Sequence, residues 1–172
     1  EDVSRKTPGE IRRRGVSFIP EDRMTTGVDG KASVAENLLV GKQRRPEFSL
    51  LGGLQLRRRQ VKKYAAEQAK KFDIRMSGVD DPVSSLSGGN MQKVVIAREF
   101  SFDSPVLVVS QPTRGVDIGA IEFIHEHIMQ KRNEGCAILL ISADLDELFR
   151  LSDRLVTLYE GRITGSFRTE EI

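Results

Sequence analysis

The stretch "SPVLVVSQPTRGVD", Ser104 to Asp117, predicts a strand that runs into a sharp turn. The β-prone apolar residues Val106 to Val109 lead directly into a turn that contains proline. This pattern is typical of a buried strand that ends at a functional edge, and α/β sheets place their chemistry at such ends. Acidic residues there would hold a metal ion or activate water, but this strand ends in Ser110 and Gln111.

Strand and helix patterns alternate on both sides of this turn. Upstream, "GVSFIPEDR" contains a short strand, Val16 to Ile19, which Pro20 ends because proline cannot donate to a sheet ladder. Downstream come a helix from Ile118 to about Arg132, the strand "AILLIS", the short helix "DLDELFRLS" and a hairpin that turns at Glu160 and Gly161. The alternation predicts an α/β fold with a mostly parallel sheet and crossover helices.

The middle of the chain, about Ser33 to Phe100, is predicted to be purely helical. Ser33 is a candidate N-cap with Glu36 three residues later, the spacing of a capping box. From Arg57 to Phe72, apolar residues recur at helical spacing with Lys and Arg on the opposite face. The opening "EDVSRKTPGE" shows no recognisable element. The expected organisation is one domain, residues 1–172, with a helical subdomain at about 33–100 and core parts at 1–32 and 101–172.

The composition is that of an ordinary globular domain, with 38% apolar and 30% charged residues. A net charge of +2 is too balanced to indicate nucleic acid, and no apolar run approaches the roughly 18 residues that span a bilayer. The single cysteine, Cys136, excludes an internal disulfide, and its place beside an apolar strand predicts a packing role. His125 and His127 point about 200° apart on a predicted helix, so packing or surface roles are expected and a shared metal site is not.

Positive charge is concentrated between Lys42 and Lys71. This segment contains ten Lys or Arg residues, against only Glu47 and Glu67. The simplest interpretation is a solvated helix face. The alternative is that the basic helix at 57–72 contacts a membrane subunit or lipid head groups.

The sharpest chemical signal is "LSGGN", Leu86 to Asn90, at the start of a predicted helix. The adjacent Gly88 and Gly89 let the backbone approach a ligand closely, and Ser87 can cap the helix or donate its hydroxyl. The first helical N–H groups point outward at the positive end of the helix dipole. The motif therefore predicts an anion clamp, and the alternative is an ordinary Ser-Gly turn before a helix.

In this context the sequence resembles the nucleotide-binding domain of ATP-binding cassette transporters. "LSGGNMQKVVIARE" is similar to the family's signature motif, "GVSFIPEDR" to its Q-loop region and "PVLVVSQPTRGVD" to its Walker B strand and D-loop. "LLISADLDELFRLSDRLVTLYEGRI" resembles the switch strand and the hairpin after it. "PEDR" and "PTRGVDIGA" resemble the second cassette of the tandem ATPases that serve simple-sugar and nucleoside importers, and "SQPTRGVD" points more to the nucleoside branch.

The resemblance also implies a fold that is part of a RecA-like P-loop NTPase sheet. Such a domain carries a G-x-x-x-x-G-K-[ST] phosphate loop near its N-terminus, and no such pattern occurs in this sequence. The expectation is therefore that the chain is a C-terminal piece of a longer protein.

Four residues depart from the family's catalytic pattern. The Walker B strand of the family ends in Asp, which supports the magnesium shell, and Glu, which polarises the attacking water. Ser110 and Gln111 stand at those two positions, Ala143 at that of the switch histidine and Glu21 at that of the Q-loop glutamine. The resemblance therefore implies that this half does not hydrolyse ATP with its own residues and holds no metal ion by itself.

The intact signature implies a role in a partner's site. In the family, two cassettes face head to tail and each signature closes on the other's phosphate loop. Leu86 to Asn90 would then contact nucleotide in trans, with Gly115 and Asp117 of the D-loop communicating across the interface. ATP and Mg²⁺ are expected only in the full assembly, which would work with permease subunits at the cytoplasmic face of the cell membrane.

Two further expectations follow from the resemblance. The rival class is a nucleic-acid-associated or translation-associated cassette protein, but the basic helix carries no aromatic residue for base stacking between Arg57 and Lys71 beyond Tyr64, so no nucleic acid partner is expected. Without the phosphate-loop strand, the edge of the switch strand, Ala137 to Ser142, would lack a neighbour. Either the hairpin around Glu160 moves to cover that edge, or two copies of the chain pair there.

Overall fold

The computed structural model describes residues 2–171, and side chains up to residue 170. Within that range no helix is both long and apolar enough to cross a membrane. The helices are α1 (Pro8–Arg13), α2 (Val34–Leu39), α3 (Arg58–Lys71), α4 (Gly88–Phe100), α5 (Ile118–Asn133) and α6 (Leu145–Leu151). The strands are β1 (Val16–Ile19), β2 (Ser49–Leu50), β3 (Gln55–Leu56), β4 (Val106–Ser110), β5 (Ala137–Ile141), β6 (Arg154–Tyr159) and β7 (Arg162–Arg168).

The central sheet has three parallel strands in the order β1-β4-β5. Val106 aligns with Val16 on one side and with Ala137 on the other, and Leu107 and Val109 of the middle strand are buried. The prediction of an α/β fold with a mostly parallel sheet is confirmed. Because the strands are parallel, the turns that follow β1, β4 and β5 all leave the same edge of the sheet.

Helix α4 forms the centre of the core. All residues from Met91 to Phe100 are buried, because α4 lies between β1 on one side and helices α2, α3 and α5 on the others. Its charged residues have partners: Lys93 pairs with Asp73 at 2.9 Å, and Glu99 accepts from Arg98 at 2.8 Å. The loop from Leu86 to Asn90 thus leads into a helix that is buried along most of its length.

The structure corrects two expectations. Helix α1 occupies the opening segment where no element was expected, and it begins with a capping box between Thr7 and Glu10. The middle of the chain is not purely helical, because β2 and β3 form a short antiparallel hairpin there. Gly52 and Gly53 make its turn with φ of 65° and 115°, values that favour glycine.

The outer edge of β5 pairs with no other strand within residues 2–171. Strands β6 and β7 form their own two-stranded sheet, and a groove of about 730 Å³ lies between β5 and this hairpin. Leu139 on β5 is 58% exposed and Leu158 on β6 is 70% exposed. The expectation that the hairpin would move to cover the switch-strand edge is therefore wrong, and pairing of two copies stays a prediction.

Candidate functional site

The signature loop starts α4 with a side-chain cap. Ser87 is the N-cap in extended conformation, and its hydroxyl oxygen accepts from the backbone N–H of Asn90 at 3.4 Å and from its side-chain amide at 2.9 Å. The Asn90 side-chain oxygen accepts in turn from the backbone N–H of Arg75 at 2.8 Å. Leu86 is buried beneath the loop. The cap holds the first N–H groups of α4, which lack intrahelical partners, in a fixed direction.

Both signature glycines lie close to side chains from other segments of the chain. A Cβ on Gly88 would lie 2.8 Å from a terminal nitrogen of Arg23, and a Cβ on Gly89 would lie 2.9 Å from a carboxylate oxygen of Asp117. Both distances are shorter than real side chains tolerate. The signature loop is therefore enclosed by two other segments, the turn after β1 and the D-loop.

Asp117 is the N-cap of α5, where its carboxylate accepts from the backbone N–H of Ala120 at 2.9 Å. Gly115, two residues earlier, has φ of 65°, a left-handed conformation that glycine adopts without strain. The structure thus brings Gly115 and Asp117, the predicted D-loop residues, against the signature loop of the same chain.

Arg23 joins these segments and was not predicted. Its two terminal nitrogens donate to the backbone oxygens of Arg114 at 2.8 Å and Gly115 at 3.0 Å. Asp22 shapes the turn that carries it, because its carboxylate accepts from the hydroxyl and backbone N–H of Thr25, bonds that lower the pKa of Asp22. "PEDR" places Arg23 directly after two acidic residues, but nothing in the sequence indicates that its hydrogen-bond partners lie 91 and 92 residues further along the chain.

The carboxyl end of β4 forms a second cluster. Ser110 is the last residue of the strand, and Gln111 follows with φ of 48°. The Gln111 backbone N–H donates to the Ile141 oxygen at 2.8 Å, and its side-chain oxygen accepts from the backbone N–H of Ala143 at 3.3 Å. Glu21 forms an ion pair with Arg114 on the loop that follows β4. The four predicted departures therefore lie around the ends of the three parallel strands.

This second cluster contains little that could bind a metal ion. Neither Ser110, Gln111 nor Ala143 carries a negative charge, and the carboxylate of Glu21 is engaged by Arg114. Among residues 2–170, no group of three or more His, Cys, Asp or Glu side chains could hold a metal ion.

The chain is similar to known proteins over nearly its whole length. No protein-family model matches the chain. It is 41% identical over 165 residues to the nucleoside import ATP-binding protein NupA of Lactococcus lactis, covering 96% of this chain and 32% of the relative. It is 42% identical over 174 residues to the glucose import ATP-binding protein TsgD13 of Haloferax volcanii, covering 99% of this chain and 31% of the relative. The chain spans about a third of the length of these relatives.

A solved structure with a similar fold is the ATP-binding cassette MJ0796, a dimer in a post-hydrolysis state bound to ADP and Pi. The TM-score is 0.73 at 20% identity, covering 93% of this chain and 65% of that one. The chain has the fold of an ATP-binding cassette, and its homologues are ATP-binding proteins of sugar and nucleoside importers. The resemblance drawn from "LSGGN" and "PTRGVD" is confirmed, as is the partial RecA-like fold.

One loop of this cassette contacts both clusters. Within Pro112–Asp117, Arg114 binds Glu21 at the strand ends, while Gly115 and Asp117 lie against the signature side. The loop after β4 therefore packs against the signature loop, although Ser110 and Gln111 stand at the end of β4 instead of acids.

A buried pair behind this loop also escaped prediction. Glu147 on α6 accepts from the Thr113 hydroxyl at 2.9 Å and bonds the Nε2 atom of His125 at 2.8 Å, and both members of the pair are buried. His127 packs instead on Phe123, with ring centroids 4.0 Å apart. The histidines thus have separate packing roles, and the pair ties the cassette's D-loop to the helix after the switch strand.

Proposed function

We propose that this chain is the signature-bearing part of the ATP-binding subunit of an importer for sugars or nucleosides. Its signature loop would complete the nucleotide site of a partner cassette, while its own strand-end site does not hydrolyse ATP. One observation carries the proposal: a capped and enclosed "LSGGN" loop lies beside a β4 end without acids.

The signature side supports binding of a phosphate group. The loop ends in the N-terminus of the thirteen-residue helix α4, whose dipole and free N–H groups favour an anion. Ser87 is exposed and Gly88 is partly exposed, and neither has a bulky side chain, so a nucleotide held by a partner's phosphate loop can approach the backbone there. Gly89 is buried against Asp117. Mg²⁺ and the phosphate loop would come with the partner cassette in the full assembly.

The residues at the carboxyl end of β4 support the proposal that this site does not hydrolyse ATP. A serine hydroxyl at position 110 brings no negative charge to a magnesium shell, and the Gln111 amide is too weakly basic to take a proton from water. General-base assistance worth roughly 10²–10⁴ in rate is therefore missing. The Gln111 side chain is already bonded to the Ala143 backbone, so it serves the local structure rather than an attacking water.

The relatives' names support the placement in transport. NupA is a nucleoside import protein and TsgD13 a glucose import protein, so the solute could belong to either class. In this assignment the complete subunit works with permease subunits at the cytoplasmic face of the membrane. The unpaired β5 edge leads us to infer that the chain alone also self-associates, which light scattering over a range of concentrations tests.

Titration calorimetry of the chain with Mg-ATP tests the proposal. Because the signature alone holds only one end of the phosphate chain, we expect no binding tighter than about 10 μM, near −7 kcal/mol, and no measurable hydrolysis. A dissociation constant for Mg-ATP of about 10 μM or less would show that the chain has a nucleotide site of its own, and it would contradict the proposal.

A further inference from the structure

The basic segment between Lys42 and Lys71 does not form a single solvated face. Lys42 is only 1% exposed, and the turn that follows α2 carries Arg44 and Arg45 back toward α1. A cavity of about 490 Å³ lies where this turn, α1 and the segment before β4 meet. Arginine side chains from two separate elements line it: Arg12, Arg13, Arg44 and Arg45.

Positive charge exceeds negative charge around this cavity. Among the side chains that the structure describes, Asp103 is the one acid that lines it, and that carboxylate binds Lys131 at 3.1 Å. Arg12 shares the buried Glu99 with Arg98. Within residues 2–170, Arg13 and Arg44 form no ion pair with an acid.

Phe102, which lines the cavity, is contacted by a further cation, the buried Lys42. The guanidinium carbon of Arg12 lies 4.3 Å and the ammonium of Lys42 4.7 Å from the ring centroid of Phe102. Lys42 donates to the hydroxyls of Tyr64 and Ser101, not to a carboxylate. Burial, with Arg45 nearby, lowers the pKa of Lys42 to about 8. Burial of a cation costs free energy, and Lys42 is nevertheless buried close to several arginine side chains.

We propose that the cavity of Arg12, Arg13, Arg44 and Arg45 binds a multiply charged phosphate group. The planar guanidinium matches phosphate geometry with two parallel donors. Both terminal nitrogens of Arg12 are bonded to Glu99, at 2.9 and 3.2 Å, so Arg13 and Arg44 are the residues that would bind the phosphate in this way. The volume lies within the range of small-ligand sites. A soluble diphosphate and an anionic lipid head group both supply this chemistry.

The site is separate from the signature. Gly15, which precedes β1, and Pro105, which precedes β4, both line the cavity. It therefore lies at the amino ends of these strands, whereas Ser110 and Gln111 lie at their carboxyl end. The inference thus concerns a second anion site and does not depend on the proposed trans-signature role.

Calorimetric titration of the chain with pyrophosphate at low ionic strength tests this site. We expect saturable binding of one equivalent that weakens at least tenfold when Arg13→Gln and Arg44→Gln are combined. The matched control combines Arg59→Gln with Lys70→Gln, which removes the same charge from the exposed face of α3. The control should bind pyrophosphate as the unaltered chain does.

Vesicles with and without phosphatidylglycerol distinguish the two sources of phosphate. Pyrophosphate binding without vesicle binding supports a soluble ligand, and vesicle binding that only the cavity variant loses supports a lipid head group. Equal weakening in the cavity and control variants would show a non-specific charge effect and overturn the proposal. Absence of saturable binding to either probe would overturn it as well.

Discussion

The signature loop and the carboxyl end of β4 both have an ordered backbone, but only the signature loop has the residues that the family's motif requires. The signature loop has both its residues and its backbone conformation, with Ser87 capping α4 and two glycines enclosed by Arg23 and Asp117. The end of β4 has an ordered backbone, in which Gln111 bonds Ile141 and Ala143, but it lacks acids. An edge without catalytic groups can therefore still be maintained as a support, because the loop after β4 holds Arg23 beside the signature.

The largest effect should come from filling the signature loop. In the complete ATP-binding subunit, Gly89→Trp should lower ATP turnover at least a hundredfold, because even a Cβ there lies 2.9 Å from Asp117 and the indole would cover the α4 N-terminus. Steady-state ATPase assays measure this. Gly30→Trp is the matched control, since a Cβ at Gly30 makes only ordinary contact at 3.7 Å. Unchanged turnover in Gly89→Trp would remove the trans-signature role.

A smaller effect is expected from the residue that joins the two clusters. Arg23→Met removes both donors to the Arg114 and Gly115 oxygens, bonds worth about 1.5–3 kcal/mol each when a charge is involved. We expect kcat/KM for ATP to fall about tenfold through KM more than through kcat, because Arg23 positions the loop and does not touch the reacting atoms. Arg59→Met on α3 serves as the control. If Arg23→Met had the same kcat/KM as that control, the bonds of Arg23 to the loop after β4 would not contribute to ATP turnover, and the two clusters would act independently.

The sequence allowed much of this comparison to be predicted. Apolar runs bounded by turn residues predict β4, β5 and α5, and "LSGGN" predicts the start of a helix. Helix α1 escaped because its six residues include no buried one, so no periodicity marks it, although Thr7, Pro8 and Glu10 are start signals. Arg23 and the buried Lys42 escaped because their partners are distant in sequence, and only the tertiary fold creates those contacts.

The smallest effect should come from restoring an acid at the end of β4. Gln111→Glu should change turnover of the complete subunit less than twofold, because Ser110 and Ala143 still supply neither a magnesium ligand nor a switch histidine. The substitution is nearly isosteric, so unfolding in urea should shift little. A tenfold rise in turnover would show that the absence of one carboxylate had made this site inactive. The two clusters would then differ in catalytic capacity by a single residue.

Vanadate trapping in the complete subunit tests the central claim most directly. Vanadate bound with Mg-ADP takes the place of the γ-phosphate, and irradiation cleaves the backbone that it touches. The account predicts cleavage within Leu86–Asn90 and none at Ser110 or Gln111, with mass spectrometry locating the cut. Cleavage at the end of β4 without cleavage in the signature loop would contradict it.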